Sequence, residues 1–262
     1  MPKRKIKEGN LRLAGIFIAV VLGLVFLSFV IKFIFVIRES RFDGAHKFNV
    51  LLTGKNEQDI VSFSPSTHSI SELKLDTTYQ DPAKSLEVPV DGEITVRGNL
   101  NVNNLSMLLF RSELPLGQTV QKLTFLDLLR LALFTRTVTP DSLYQREYSD
   151  NLSDSQKNTL ISLTFTDPAI YDENLSIQVV NATDINGLGA RFAAFVSNIG
   201  GNPILITNSD RPENMSKIIY TGKMSYTVQR LSSYFNLPVE KTDSRGIADV
   251  IIVIGKDFDN SL

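Results

Sequence analysis

The sequence predicts an α+β protein in three parts: an N-terminal transmembrane helix, a small membrane-proximal α+β domain, and a C-terminal two-layer α/β domain of two β-α-β halves. Three observations carry that expectation. The chain is free of charge from Leu13 to Ile31. A strand pattern broken by Ser64-Pro65-Ser66-Thr67 follows it, and such a cluster is turn chemistry. From Ser176 onward strand and helix patterns alternate and close on an unbroken apolar run.

The first part is the anchor. Between Leu13 and Ile31 the one ordinary polar residue is Ser28, and beyond Lys32 the apolar run resumes as Phe33-Ile34-Phe35-Val36-Ile37. A helix apolar on every face for this length suits a bilayer better than the core of a chain this size. The run ends in Lys32-Phe33-Ile34-Phe35 rather than in a small-x-small cleavage site, so it reads as uncleaved. Lys3, Arg4, Lys5, Lys7 and Arg12, offset by Glu8, place the N-terminus in the cytoplasm. Lys32, Arg38, Arg41 and Lys47 on the far flank reduce that asymmetry. The expected division is a cytoplasmic basic tail over residues 1–12 and a membrane-spanning helix over 13–37, with the remaining chain outside the cytoplasm.

The membrane-proximal domain is expected over residues 38–170. Phe48 to Gly54 reads as a buried strand ending at a glycine, and Ile60 to Phe63 and Ser69 to Leu75 as two antiparallel strands joined by the proline turn. Leu123 to Thr135 places leucines on one face of a short helix. Leu143 to Leu152 reads as a polar loop, Thr159 to Phe165 as a strand or a helix end, and Asp59 as a solvated turn residue.

The C-terminal domain is expected over residues 174–258. Ser176 to Val180 is a strand, Leu188 to Ile199 a helix stopped by Gly200 and Gly201, and Pro203 to Thr207 a second strand. Lys217 to Tyr220, the helix Tyr226 to Phe235 and the closing strand Ala248 to Lys256 complete the pattern. The continuous apolar character of that last strand indicates burial on both faces.

Composition excludes several classes of function. A net charge of -1 leaves no basic surplus for nucleic-acid phosphates. Cysteine is absent, and the two histidines, His46 and His68, have no ligand partner at metal spacing, so neither a metal nor a cofactor is expected. Gly187-Leu188-Gly189-Ala190-Arg191 precedes a helix but has neither the dinucleotide spacing nor a Gly-Lys-Ser/Thr ending.

Two resemblances add to this. Val179 through Arg191 resembles the V-x-N-x-T-x-x-x-G-L-A-x-R motif of the LytR C-terminal domain family, with glycine at 189 and the alanine displaced by one to 190. Ile219-Tyr220, and Ala248-Asp249-Val250 through Gly255-Lys256-Asp257, follow that family's order as well. Phe48 to Gly54 and Asp59 to Asp76 resemble the opening of the LytR-CpsA-Psr domain, which transfers phosphate-linked glycopolymers from a polyprenyl carrier to the cell wall. That chemistry needs arginines for the pyrophosphate and acidic residues for a metal. Asp59 matches the first acidic position, but Lys74-Leu75-Asp76-Thr77-Thr78 has no Pro-Arg before its aspartate. The region therefore reads as a reduced or unrelated α+β domain without that activity.

The first resemblance implies a non-catalytic module of bacterial envelope proteins. The expected protein is membrane-anchored, contacts the lipid bilayer through its helix, and binds peptidoglycan, wall glycopolymer or envelope proteins. A glycopolymer phosphotransferase acting on a polyprenyl-pyrophosphate-linked substrate is the alternative. The candidate ligand-binding residues are Asn181, Thr183 and Arg191, with no catalytic residue assigned. An asparagine after a strand also fixes turns, and an arginine early in a helix also serves as a surface group.

Overall fold

The computed structural model describes residues 8–96, 98–100, 105–111, 119–244 and 246–258. Its first element is α1 (Glu8–Glu39), a helix of 32 residues. The stretch Ala14–Glu39 is long and apolar enough to cross a membrane, and no residue of its most apolar part is buried inside the protein. The helix begins earlier and ends later than the expected 13–37: residues 8–12 of the expected tail are helical despite Gly9 and Asn10. Lys3, Arg4, Lys5 and Lys7 lie outside the described residues.

A six-stranded sheet follows. Its strands β1 (Phe48–Thr53), β2 (Gln58–Ser64) and β3 (Ser69–Leu75) form an antiparallel meander. The Pro65 turn closes with His68 in the left-handed region at φ 52 and its N–H donating to Pro65 O. After α2 (Pro82–Leu86), β4 (Gly92–Thr95) joins β1 in parallel. Then come α3 (Leu105–Arg111), β5 (Thr119–Gln121) and α4 (Phe125–Thr137). The expected loop from Leu143 is instead β6 (Leu143–Tyr148), which gives the order β5-β4-β1-β2-β3-β6. An edge strand can keep one polar face in solvent, which is why Gln145 and Glu147 concealed it. Thr159 to Phe165 is the second half of α5 (Asp154–Phe165), whose start is the Ser153/Gln156 capping box.

Both faces of this sheet are covered, so β1 and β2 are buried along almost their whole length. Val50, Leu52, Val61, Phe63 and Ile70 pack beneath Leu105 and Leu109 of α3 and Leu128 and Leu131 of α4. The residues of opposite parity, Leu51, Ile60, Leu73 and Leu75, pack against Leu86 of α2 and Ile161 and Phe165 of α5.

Next, α6 (Pro168–Glu173) leads into a five-stranded sheet made of β7 (Ser176–Asn181), β8 (Asn202–Asn208), β9 (Lys217–Thr221), β10 (Val239–Thr242) and β11 (Val250–Ile254). Its helices are α7 (Leu188–Asn198) and α8 (Tyr226–Phe235). The order is β10-β9-β11-β7-β8. β7 and β8 are parallel, as are β9 and β10, and β11 joins the two β-α-β halves, parallel to β7 and antiparallel to β9. Ile177, Val179, Ile218, Ile252 and Ile254 face Phe192, Phe195, Val228 and Leu231 of the two helices. Ile170 of α6 belongs to this second core, so the junction between the domains falls ahead of α6 rather than within it.

The closing motif fastens the central strand. Asp249 accepts hydrogen bonds from Ser176 N and Oγ at 3.0 and 2.6 Å. Asp257 accepts from Ser216 N and Oγ, both at 2.7 Å, and Ser216 Oγ accepts from Gly255 N.

Candidate functional site

Asn181 and Thr183 meet at the turn between β7 and α7. Asn181 is buried; its Oδ1 accepts from Thr183 N at 3.1 Å and from Thr183 Oγ1 at 2.7 Å, and its Nδ2 donates to Ile185 O at 2.9 Å. Ile185 N in turn donates to Thr183 Oγ1. The turn consumes the polar atoms of both side chains, the ordinary use of asparagine at such a position. Gly189 lets α7 approach: a Cβ there would lie 3.3 Å from Asn181 Cβ and 3.3 Å from Ile206. Arg191 does not converge on this turn. Its Nε lies 3.3 Å from Glu87 Oε1, in the left-handed cap at the end of α2. Burial pushes the Glu87 carboxyl up against the opposing pull of Arg191.

Arg191 thus belongs to a seam between the two domains. Asn198 of α7 donates from Nδ2 to Glu87 O at 2.9 Å. Arg230 of α8 grips Asp91 with both guanidinium nitrogens, Nη1 to Oδ1 at 2.8 Å and Nη2 to Oδ2 at 2.9 Å. Asp91 also accepts from Asn49 N at 2.9 Å, which ties the pair to β1. Tyr234 OH accepts from Val90 N at 3.0 Å, and burial raises its phenol to about 12. Lys47 is buried with Nζ donating to Thr166 O, and loss of hydration lowers its amine to about 8 despite the nearby Asp167. Tyr226 donates to Asp167 Oδ2 at 2.9 Å and stacks on His46 with ring centroids 4.0 Å apart.

A cleft of about 1300 Å³ opens where this seam meets the end of α1, lined by Arg38, Arg41, Asp81, Lys122, Arg230 and Tyr234 among others. None of Asn181, Thr183 and Arg191 lines it. A recess of about 230 Å³ beside it holds Asp43, His46, Lys47 and Tyr226. No motif announced this concavity, because its walls come from α1, α2, α4's leading loop and α8, far apart in the chain.

The chain is fixed where it leaves α1. Asp127, fully buried in the first turn of α4, accepts on Oδ1 from Ser40 Oγ at 2.7 Å, Arg41 N at 2.9 Å and Phe42 N at 2.9 Å. Its Oδ2 accepts from Thr124 N and Oγ1, both at 2.8 Å, completing a capping box. Arg130 Nη1 donates to Phe42 O at 3.0 Å.

Asp59 is not the solvated turn residue expected. It sits in β2, 2% exposed, near Glu72 of β3, 1% exposed. The register pairs Asp59 with Lys74 and Val61 with Glu72, which sets both carboxyl groups on one inward face. Burial first, and then the charge of Glu72, push the Asp59 carboxyl up to about 7. Gln145 Nε2 donates to Glu72 Oε2 at 2.7 Å, while Asp59 Oδ2 has no hydrogen-bond partner. Among the described residues no group of three or more acidic or histidine side chains could hold a metal ion.

Residues 174–258 match the family model described as LytR cell envelope-related transcriptional attenuator, the LytR C-terminal family that their motifs resemble. That match associates the chain with the cell envelope. No curated protein matches the chain. Among solved structures, the Lin1025 protein from Listeria innocua aligns at 10% identity over 80% of this chain and 92% of its own, with a TM-score of 0.17. A putative transcriptional factor, Lmo1026 from Listeria monocytogenes, aligns at 10% identity over 74% and 96%, with a TM-score of 0.18.

Proposed function

We propose that this chain is a single-pass protein of the bacterial cell membrane, with its N-terminus in the cytoplasm and both domains outside. There it serves as a non-catalytic binding or interaction module for wall polymer or envelope proteins. The observation that carries the reading is the LytR C-terminal match on a chain that begins with an exposed, apolar helix of membrane length. The seam supports it: Asp91–Arg230 and Glu87–Arg191 hold the module to the domain on which α1 ends, a suitable arrangement for presenting a binding surface at a set distance from a membrane. Arg191 is the candidate for which an anionic polymer would compete with Glu87; Asn181 and Thr183 shape the turn ahead of it.

The test is co-sedimentation of the detergent-solubilised chain with peptidoglycan sacculi, alongside crosslinking in intact cells. Retention above that of an unrelated membrane protein supports polymer binding. Crosslinks to envelope proteins without retention support protein partnership. Absence of both retention and crosslinks would overturn the binding role.

The phosphotransferase reading keeps one favourable observation, the buried Asp59 with its carboxyl near 7 beside Glu72. It requires turnover of a polyprenyl-pyrophosphate-linked glycan that Asp59→Asn abolishes. Inert protein in that assay would dispose of it.

A further inference from the structure

The first turn of α4 sits beside the point where α1 ends. Ser40, Arg41 and Phe42 bond to Asp127, and Arg130 holds Phe42 O from one turn farther along. The ectodomain is therefore fastened to the exit of the helix rather than joined to it by a free linker. Phe125 lies two residues before Asp127, no more than about 8 Å of chain away. It is 58% exposed at the first position of the helix. Lys122, just ahead of it, shares the cleft wall with Arg38 and Arg41, all three of them exposed, and with the carboxylates of Glu39, Asp81, Asp91 and Glu93. Arg38 and Arg41 have no carboxylate within ion-pair distance among the described residues, and Lys122 reaches Glu93 only at 3.4 Å.

Length sets the height of this group. The 26 residues from Ala14 to Glu39 extend about 39 Å, more than the ~30 Å of a bilayer's hydrocarbon core. A helix entering the bilayer near Leu13 therefore carries Arg38 to Arg41 to headgroup level, and Asp127 holds the start of α4 beside them. An exposed phenyl ring in the turn of α4 that receives the end of α1, three residues after Lys122, is a composition that an anionic lipid surface accepts: the ring at the acyl boundary, nearby cations on phosphates.

We infer that Phe125, with Lys122, Arg38 and Arg41, forms a second membrane contact that seats the ectodomain on the outer leaflet. This rests on the reading of α1 as a membrane span, and the experiment separates the two. The chain contains no tryptophan, so one introduced indole reports alone. Phe125→Trp, Phe26→Trp in the span and Tyr171→Trp on α6 are each made in the full chain and reconstituted into phosphatidylcholine–phosphatidylglycerol vesicles carrying acyl-brominated lipid.

The expected result is bromine quenching of Phe125→Trp, with a blue-shifted emission and a depth of about 5–10 Å into the headgroup–acyl boundary. Phe26→Trp should be quenched more deeply and Tyr171→Trp not at all. An unquenched Phe125→Trp beside a quenched Phe26→Trp overturns the contact and leaves the span intact. The same holds if Phe125→Trp is blue-shifted yet unquenched, which would mean that protein or a second copy covers it. If neither is quenched, the span reading fails and the contact with it.

Discussion

Arg230 and Asp91 face each other in a two-pronged ion pair, Nη1–Oδ1 2.8 Å and Nη2–Oδ2 2.9 Å, that joins a helix of one sheet to the strand edge of the other. The Asp91 side chain is 6% exposed and that of Arg230 20%. Removing one partner leaves the other charge in the seam without its counter-ion. Asp91→Ala should therefore lower stability by about 3 kcal/mol, the lower end of the range for broken buried pairs, because Arg230 is partly exposed. Asp91→Leu combined with Arg230→Met should recover much of the loss. Denaturant titrations of the detergent-solubilised chain check both, and a loss under about half a kcal/mol, the scale of an exposed pair, would show that the pair does not hold the seam.

Asp127 is the acceptor for five donors at the exit of α1. Asp127→Ala removes the N3 half of the capping box around Thr124 and leaves buried N–H groups without partners at about 1–3 kcal/mol. Hydrogen exchange should then accelerate at residues 41 and 42 and in the first turn of α4, with β7 to β11 unchanged. Uniform protection in the variant would refute the clasp.

The pH response of Asp59 has a definite sign. Its carboxyl titrates at about 7 in the fold and near 3.8 when exposed; burial raises it most, Glu72 and Glu57 add to that, and Lys74 opposes. Between those values the folded chain retains a proton that the unfolded chain has lost, so stability declines as pH rises through that window. Asp59→Asn abolishes the decline. At about pH 8 the variant should exceed the parent by on the order of 2–4 kcal/mol, since a tenfold change in proton affinity corresponds to about 1.4 kcal/mol, and the advantage should shrink towards about pH 4. Parallel stability curves for parent and variant would contradict this account.

Gly255 closes the motif on β11, and a Cβ there would fall 2.6 Å from Met215 C and 2.8 Å from Ser216 N, both backbone atoms. Gly255→Ala must displace that segment and with it the Ser216–Asp257 bonds. A loss of about 1–3 kcal/mol is expected, measured by thermal unfolding. Gly98→Ala, with open space around its Cβ, is the control that should change little.

Legibility in the sequence follows locality. The membrane-length helix, the proline hairpin, α7, α8 and β11 are visible because their signals are contiguous: an uncharged run, a turn cluster, an amphipathic period and an unbroken apolar strand. β6 is hidden because a strand on the sheet's edge keeps a polar face. Asp59 resembles a solvated residue because its neighbours in sequence are polar, whereas its neighbours in space are Glu72 and the interior of the sheet.

By itself the sequence determined the membrane-length helix, the two β-α-β halves and the family of residues 174–258, since each is written in local periodicity or in a contiguous motif. Tertiary structure alone decided that Arg191 answers Glu87, that Asp127 receives the end of α1, and that the cleft lies at the seam. Those relations join residues tens of positions apart. Only packing, which buries a charge when a partner arrives to compensate it, brings them together.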